Sequence, residues 1–284
     1  METLLFKTPE LAEKTLSEAR AGAAKLQRKP GLAVVLVGDD PASSIYVKKK
    51  TETCRKYGLH AEDFHLQPSE GFAKLEETIL QLNARKDIDG ILVQSPLPSG
   101  WDERKIQALI DPAKDVDGFH PQNAGALLID AKQTLASGLP PCTPAGVMEI
   151  LREAKIPTSG KHAVVLGRSS IVGKPMALML LGADATVTIA HSKTKNLAEL
   201  CAGADILVVA VGKARFVAKE FVKPGAVIID VGINRDGKRV VGDVDARSVM
   251  GIASFLTPVP NGVGPMTIAM LIRNTVRAAN ARNA

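Results

Sequence analysis

Short β-branched and apolar runs alternate along this chain with stretches of helical periodicity. That alternation restricts the fold to βαβ units, whose strands lie parallel beneath covering helices. The runs over 32–37, 90–94, 162–166, 206–211 and 226–231 are almost continuously apolar. Strands buried on both faces read this way, whereas a sheet with one wet face shows alternation. Further strands are expected over 61–66 and 185–190. Helices are expected to open at Thr8-Pro9, near Ser43, at 72 and at about 174, and a last helix carries Met266, Met270, Ile272 and Val276. Thr8 and Pro9 suit an N-cap and a first helical position, and Ser43 or Ser44 can cap the next helix.

The 284 residues are about twice a usual domain, so two domains are expected. Gly138-Leu139-Pro140-Pro141-Cys142-Thr143-Pro144 interrupts the pattern and reads as a linker. The expected division is 1–139 plus 266–284 for a catalytic domain and 140–265 for a nucleotide domain, the last helix returning to the first. Ligands are expected at the carboxyl ends of the strands, in a cleft between the two.

Composition narrows the function. The apolar run Met176 to Leu181 is far shorter than the ~20 residues of a membrane span. The N-terminus lacks the basic and long apolar regions of a secretory signal. Three cysteines, Cys54, Cys142 and Cys201, are too few and too scattered for a disulfide framework, so a reducing cytoplasm is expected. The net charge is +6, but only Lys48-Lys49-Lys50 is a dense basic run and aromatics are 4%. Base stacking has little to work with, and the charge suits anionic small molecules better than nucleic acid. No His/Cys spacing suggests a metal, and no G-x-S-x-G elbow is present.

Two regions carry candidate chemistry. After the strand over 162–166 comes Gly167-Arg168-Ser169-Ser170-Ile171-Val172-Gly173, leading into a helix. Such a turn can present amides to a phosphate, although an ordinary βα turn would look alike. With it the second domain reads as a Rossmann-like, doubly wound parallel sheet, and the whole chain as two-domain α/β. The next strand ends in His191-Ser192-Lys193-Thr194, with no carboxylate for a ribose 2′-hydroxyl. Arg168 and Lys193 would suit a 2′-phosphate, which predicts NADP over NAD; the alternatives are a solvated Lys193 and a packed His191.

In the first domain Tyr46 and Lys50 are one helical turn apart and share a face. By spacing alone such a pair is an ordinary surface stack. Gln94 ends a buried strand before Ser95-Pro96-Leu97-Pro98, where α/β enzymes place ligand groups. Lys114-Asp115-Val116-Asp117-Gly118-Phe119-His120 is a turn with two carboxylates, one of which could accept from the N–H donors of a fused heterocycle; the alternative for Asp115 is a turn cap or an ion pair.

Together these motifs resemble the bifunctional methylenetetrahydrofolate dehydrogenase/methenyltetrahydrofolate cyclohydrolase family along nearly the whole chain. The resemblance runs in order through Ser43-x-x-Tyr46-Val47-x-x-Lys50, Gly90 to Gln94, Lys114 to His120, Pro141-Cys142-Thr143-Pro144, Gly167 to Pro175, and Thr257-Pro258-Val259-Pro260-Asn261-Gly262-Val263-Gly264-Pro265-Met266-Thr267. It implies NADP-linked oxidation of 5,10-methylenetetrahydrofolate, then hydrolysis of the methenyl product to the 10-formyl compound. It implies Lys50 as general acid/base, Gln94 tuning it, Tyr46 stacking on the folate and Asp117 holding the pterin. Pro260 and Gly264 would help shape the folate pocket; Gly167, Arg168, Ser169, Ser192 and Ile233 would hold NADP, in a homodimer. Three departures stand out. Asn261 replaces a usual glycine, in a turn it can serve if φ is positive. Ser95 replaces a usual leucine beside Gln94, and an Asp-Gly near Lys7-Thr8 is missing. The runner-up is another two-domain NADP oxidoreductase acting on a small hydroxy or keto acid, which leaves Tyr46, Lys50 and Gln94 unexplained.

Overall fold

The structure, a computed structural model, describes residues 2–237 and 239–282. The first elements are β1 (Leu4–Leu5), α1 (Pro9–Ala23), β2 (Gly31–Val37), α2 (Pro41–Lys56), β3 (His60–Leu66), α3 (Phe72–Ala84) and β4 (Gly90–Val93). Helices α4 (Glu103–Leu109), α5 (Pro121–Ile129), α6 (Ala131–Ser137) and α7 (Cys142–Glu153) follow. Next come β5 (His162–Leu166), α8 (Gly173–Gly182), β6 (Thr186–Ala190), α9 (Leu197–Ala202), β7 (Ile206–Val209) and β8 (Val227–Asp230). The chain closes with β9 (Asn234–Asp236), β10 (Arg239–Val241), α10 (Ala246–Val249), β11 (Phe255–Leu256) and α11 (Val263–Arg282).

The chain divides into two compact units. One comprises 13–129, 133–142 and 268–284 and holds a parallel sheet in the order β3-β2-β4. Val35 pairs with Val93 and Val37 with Leu66. Every residue of β2 is buried, and Val35, Leu75, Ile79, Ile91 and Ile106 belong to one core. The apolar β2 run therefore has two covered faces, as its composition requires.

The other unit comprises 1–12, 130–132 and 143–267 and holds a parallel sheet in the order β1-β11-β8-β7-β5-β6, with an antiparallel hairpin of β9 and β10. The chain leaves β5 for β6 on one side and returns to β7 on the other. The strand order thus reverses at β5, and open α/β sheets bind ligands beyond the carboxyl ends of strands at such a point.

Four expectations need correction. The first twelve residues group with the six-stranded unit because Leu4 pairs with Phe255 and Leu5 with Leu256, extending the sheet. Two leucines are too short a run to be legible as a strand. The expected linker over 138–144 is helical from Cys142 onward. Pro144 lies in the first turn of α7, where its missing N–H is no loss. Pro265 does the same in α11, which begins at Val263. Finally, α2 is capped by Asp40, whose carboxylate accepts from the Ser43 amide at 2.7 Å, rather than by Ser43 or Ser44.

Candidate functional site

In the three-stranded unit, α2 leaves the carboxyl end of β2 and carries Tyr46 and Lys50 one turn apart. Tyr46 is 38% exposed, and Lys50 is half-buried. Lys50 Nζ donates to Gln94 Oε1 at 2.9 Å, and Gln94 Nε2 donates to the Ser95 carbonyl at 2.7 Å. The two bonds fix which end of the amide faces the lysine. The Ser95 departure bears little on this, because Gln94 uses the Ser95 backbone. The Ser95 hydroxyl instead points at Glu103 (3.4 Å), whose carboxylate also accepts from the Leu97 amide.

The 114–120 turn sorts its two carboxylates. Asp115 accepts from the His120 amide (2.7 Å) and Asn123 Nδ2 (2.8 Å), so it is the turn cap. Burial raises its pKa, opposed first by the Asn123 hydrogen bond. Asp117 is the carboxylate that responds to the Lys50 charge. Burial pushes it up to about 6, the Lys50 charge pulls it down, and Asp115 adds to the rise. The Cys142 thiol donates to the Val116 carbonyl at 3.2 Å, and burial, with the Asp117 charge adding to it, raises the thiol well above its ordinary value. Lys50, Gln94 and Asp117 therefore form one cluster at the carboxyl edge of the β3-β2-β4 sheet.

The six-stranded unit places the second set. Gly167 has φ +134°, and a Cβ on it would collide with the Ala210 carbonyl. A Cβ on Gly173 would collide with the Gly167 carbonyl oxygen and come within 2.8 Å of the Arg168 amide nitrogen. The turn thus closes on its own helix only because both positions are glycine. Ser169 Oγ accepts from the Val172 and Gly173 amides at 3.2 Å each, which holds the turn; Arg168 is exposed. Among the described residues the Ser170 and Ile171 amides meet no protein acceptor. After β6, His191 N donates to Thr194 Oγ1 (3.0 Å) and the Lys193 amide donates to His191 Nδ1 (3.2 Å). The ring closes a turn, leaving Ser192 and Lys193 exposed. Ile233 is 51% exposed beyond β8. Pro260 and Gly264 lie in this unit too, Pro260 exposed and Gly264 in the first turn of α11. Asn261 has φ +72°, the conformation its glycine-like position demands.

Two family models match the chain. Residues 7–117 match the family model of the tetrahydrofolate dehydrogenase/cyclohydrolase catalytic domain, and residues 141–283 match that of its NAD(P)-binding domain. The bifunctional protein FolD of Acetivibrio thermocellus is 50% identical over 283 residues, 98% of each chain. The chain belongs to the tetrahydrofolate dehydrogenase/cyclohydrolase family. The crystal structure of the Campylobacter jejuni FolD enzyme superposes with a TM-score of 0.94 at 44% identity over 99% of both chains. The Trypanosoma brucei enzyme, solved with NADP and an inhibitor, gives a TM-score of 0.94 at 34% identity over 99% of this chain and 98% of that one.

Within this dehydrogenase/cyclohydrolase, supporting residues escaped the reading of the sequence. Lys114 is fully buried, and its ammonium donates to the carbonyls of Leu82 (3.1 Å), Asn83 (2.7 Å) and Arg85 (2.6 Å) at the end of α3. It fastens the start of the Asp115–Asp117 turn to that helix terminus, satisfying orphan carbonyls with a cation. Burial lowers its pKa. Asn274 on α11, also buried, donates to the Val116 and Pro140 carbonyls at 2.9 Å each. Gly118 follows with φ +74°, and a Cβ there would stand 2.6 Å from the Leu139 carbonyl. The only signal for Lys114 was its place beside two acids, which reads equally well as a surface ion pair.

Proposed function

We propose that this chain oxidises 5,10-methylenetetrahydrofolate with NADP and hydrolyses the resulting 5,10-methenyl cation to 10-formyltetrahydrofolate. The observation that carries the reading is the Lys50–Gln94–Asp117 cluster, with Lys50 hydrogen-bonded to Gln94 at 2.9 Å and Asp117 close enough for the Lys50 charge to lower its pKa. The three-stranded unit would bind the folate and the six-stranded unit the nucleotide.

Hydride loss from the folate needs positioning more than a protein base, because the folate nitrogens stabilise the cation that forms. Bound NADP supplies the hydride acceptor. Adding water to the cation requires proton movement, and that is the task of Lys50. Gln94, fixed by the Ser95 carbonyl, holds the amine in place by accepting a hydrogen bond from it. Asp117 when ionised accepts from N–H donors of the pterin, and Tyr46 offers a face for stacking.

The nucleotide reading rests on the turn after β5. Its two glycines let the backbone close tightly, and the Ser170 and Ile171 amides are available to a phosphate. Gly167, Arg168, Ser169, Ser192 and Ile233 would line that site. Exposed Arg168 and Lys193, with no carboxylate after β6, favour a 2′-phosphate. NADP bound to the Trypanosoma brucei relative supports the same choice. The chain would act in the cytoplasm as a homodimer, which light scattering of the purified protein tests.

A coupled spectrophotometric assay decides the function. Supplying methylenetetrahydrofolate with NADP should generate NADPH and a transient methenyl absorbance that decays. Titrating NADP and NAD separately should give the lower dissociation constant for NADP. Absence of turnover with folate, or tighter NAD binding, contradicts the corresponding half of the proposal.

A further inference from the structure

At the carboxyl ends of β7 and β8 lie two buried carboxylates that the catalytic reading leaves without a task. Asp243, with none of its surface exposed, accepts from three consecutive backbone amides: Val211 at 2.6 Å, Gly212 at 2.8 Å and Lys213 at 2.9 Å. Asn234 Nδ2 adds a fourth bond at 2.8 Å. Asp230, the last residue of β8, accepts from the Gly232 amide at 2.9 Å and from the amides of Asp243 and Val244 at 3.0 Å each. Each carboxylate occupies the place a side chain would need at a neighbouring glycine. A Cβ on Gly232 would collide with the Asp243 carboxyl, and one on Gly242 with that of Asp230.

A charge buried this deeply is expensive unless its hydrogen bonds are complete, so such an arrangement has to be held by the fold around it. Successive amides converging on one point form a concavity that elsewhere receives a ligand's phosphate. Here the protein fills it with its own anion. The clasped segments are those that matter for a nucleotide. Val211–Lys213 follows β7, whose neighbour β5 leads into the glycine turn, and the Ala210 carbonyl abuts Gly167. Ile233 lies between Gly232, held by Asp230, and Asn234, held by Asp243.

We infer that Asp243 is a positioning residue for the dinucleotide, an internal anion that sets the turn after β7 and, through Asn234 and Asp230, the turn after β8 in the spacing the nucleotide needs. The inference rests on the nucleotide reading given above and deepens it. It also explains why Gly212 and Lys213 offer no amide to a phosphate: the carboxylate already takes both.

Asp243→Asn is the test. The amide keeps the shape, halves the acceptor capacity and turns an NH2 group toward backbone donors. NADPH binding, followed by fluorescence titration, should weaken at least tenfold, while turnover of supplied methenyltetrahydrofolate stays within twofold of wild type. Net charge alone predicts the reverse, since removing a negative charge favours an anionic nucleotide. Unchanged NADPH affinity overturns the inference. A parallel loss of cyclohydrolase turnover overturns it too, by showing that Asp243 merely holds the fold. Should Asp243→Asn fail to fold, Asn234→Ala removes a single bond of the clasp and should weaken NADPH binding several-fold; no change again overturns the inference. The wild type is titrated first, so a failure of the nucleotide reading itself, which would take the inference with it, shows as absence of any NADPH binding before a variant is measured.

Discussion

Gly173→Ala separates the two halves of the chemistry. The added methyl would meet backbone only: the Gly167 carbonyl oxygen, the Gly167 carbonyl carbon at 2.6 Å and the Arg168 amide nitrogen at 2.8 Å. Comfortable contact between such atoms is about 3.5 Å, so the turn must retreat by about 1 Å. Displacement on that scale costs about 100-fold where geometry is demanding, or about 2.7 kcal/mol at ~1.36 kcal/mol per decade. Overpacking removes a further ~1–3 kcal/mol of stability, which a folded protein of this size tolerates. The measurement is a paired assay, with dehydrogenase kcat/KM for NADP set against hydrolysis of methenyltetrahydrofolate supplied directly. The expected result is a fall of about 100-fold in the first with the second unaffected. An unchanged KM for NADP, or equal loss of both activities in a variant with native circular dichroism, refutes the reasoning.

Three other outcomes are expected. Asp117 titrates near pH 6 in the free protein, and only its ionised form accepts from N–H donors. The kcat/KM for folate should therefore fall about tenfold per unit as pH drops below that value, and Asp117→Asn should be weak and flat across the range; a wild-type profile flat to pH 5 contradicts the assignment. Lys114→Met strands the Asn83 and Arg85 carbonyls at the end of α3 and leaves that of Leu82 with only the Arg85 amide. It should cost about 2–4 kcal/mol in urea unfolding, and a loss below about 0.5 kcal/mol would show that water replaces the ammonium. Ser95→Leu should change neither rate more than threefold, because Gln94 is anchored by the backbone carbonyl; a tenfold loss of cyclohydrolase activity would show that the Ser95–Glu103 contact matters.

The alternation of apolar runs with helical stretches was enough to place the main parallel strands, because strands buried on both faces leave continuous apolar stretches. Leu4–Leu5 escaped because a two-residue edge strand has no periodicity to read. The 138–144 segment misled because prolines terminate helices inside them yet fit their first turns, and composition alone does not say which applies. At the candidate site, Gln94 stood out at the end of a buried strand. The Tyr46–Lys50 spacing alone read as a surface stack, and Asp117 was singled out over Asp115 only through the family resemblance. Lys114, Asn274, Asp230 and Asp243 were not legible, since each acts through long-range backbone contacts. Asp230 did leave a trace: an acid within the otherwise apolar run Ala226 to Val231 is costly to bury unless the fold supplies donors.

The central claim, that water addition depends on the amine at position 50 whereas hydride transfer depends on positioning, is tested most directly by Lys50→Met. This substitution removes the 2.9 Å bond to Gln94 and keeps the length and apolar stem of the side chain. Both rates are measured on the same purified sample. Cyclohydrolase turnover should fall about 100- to 10,000-fold, the usual worth of a positioned acid/base, while NADPH production remains readily measurable. Equal loss of both activities in a folded protein would mean that Lys50 only holds the substrate, and the account of the second step would fail.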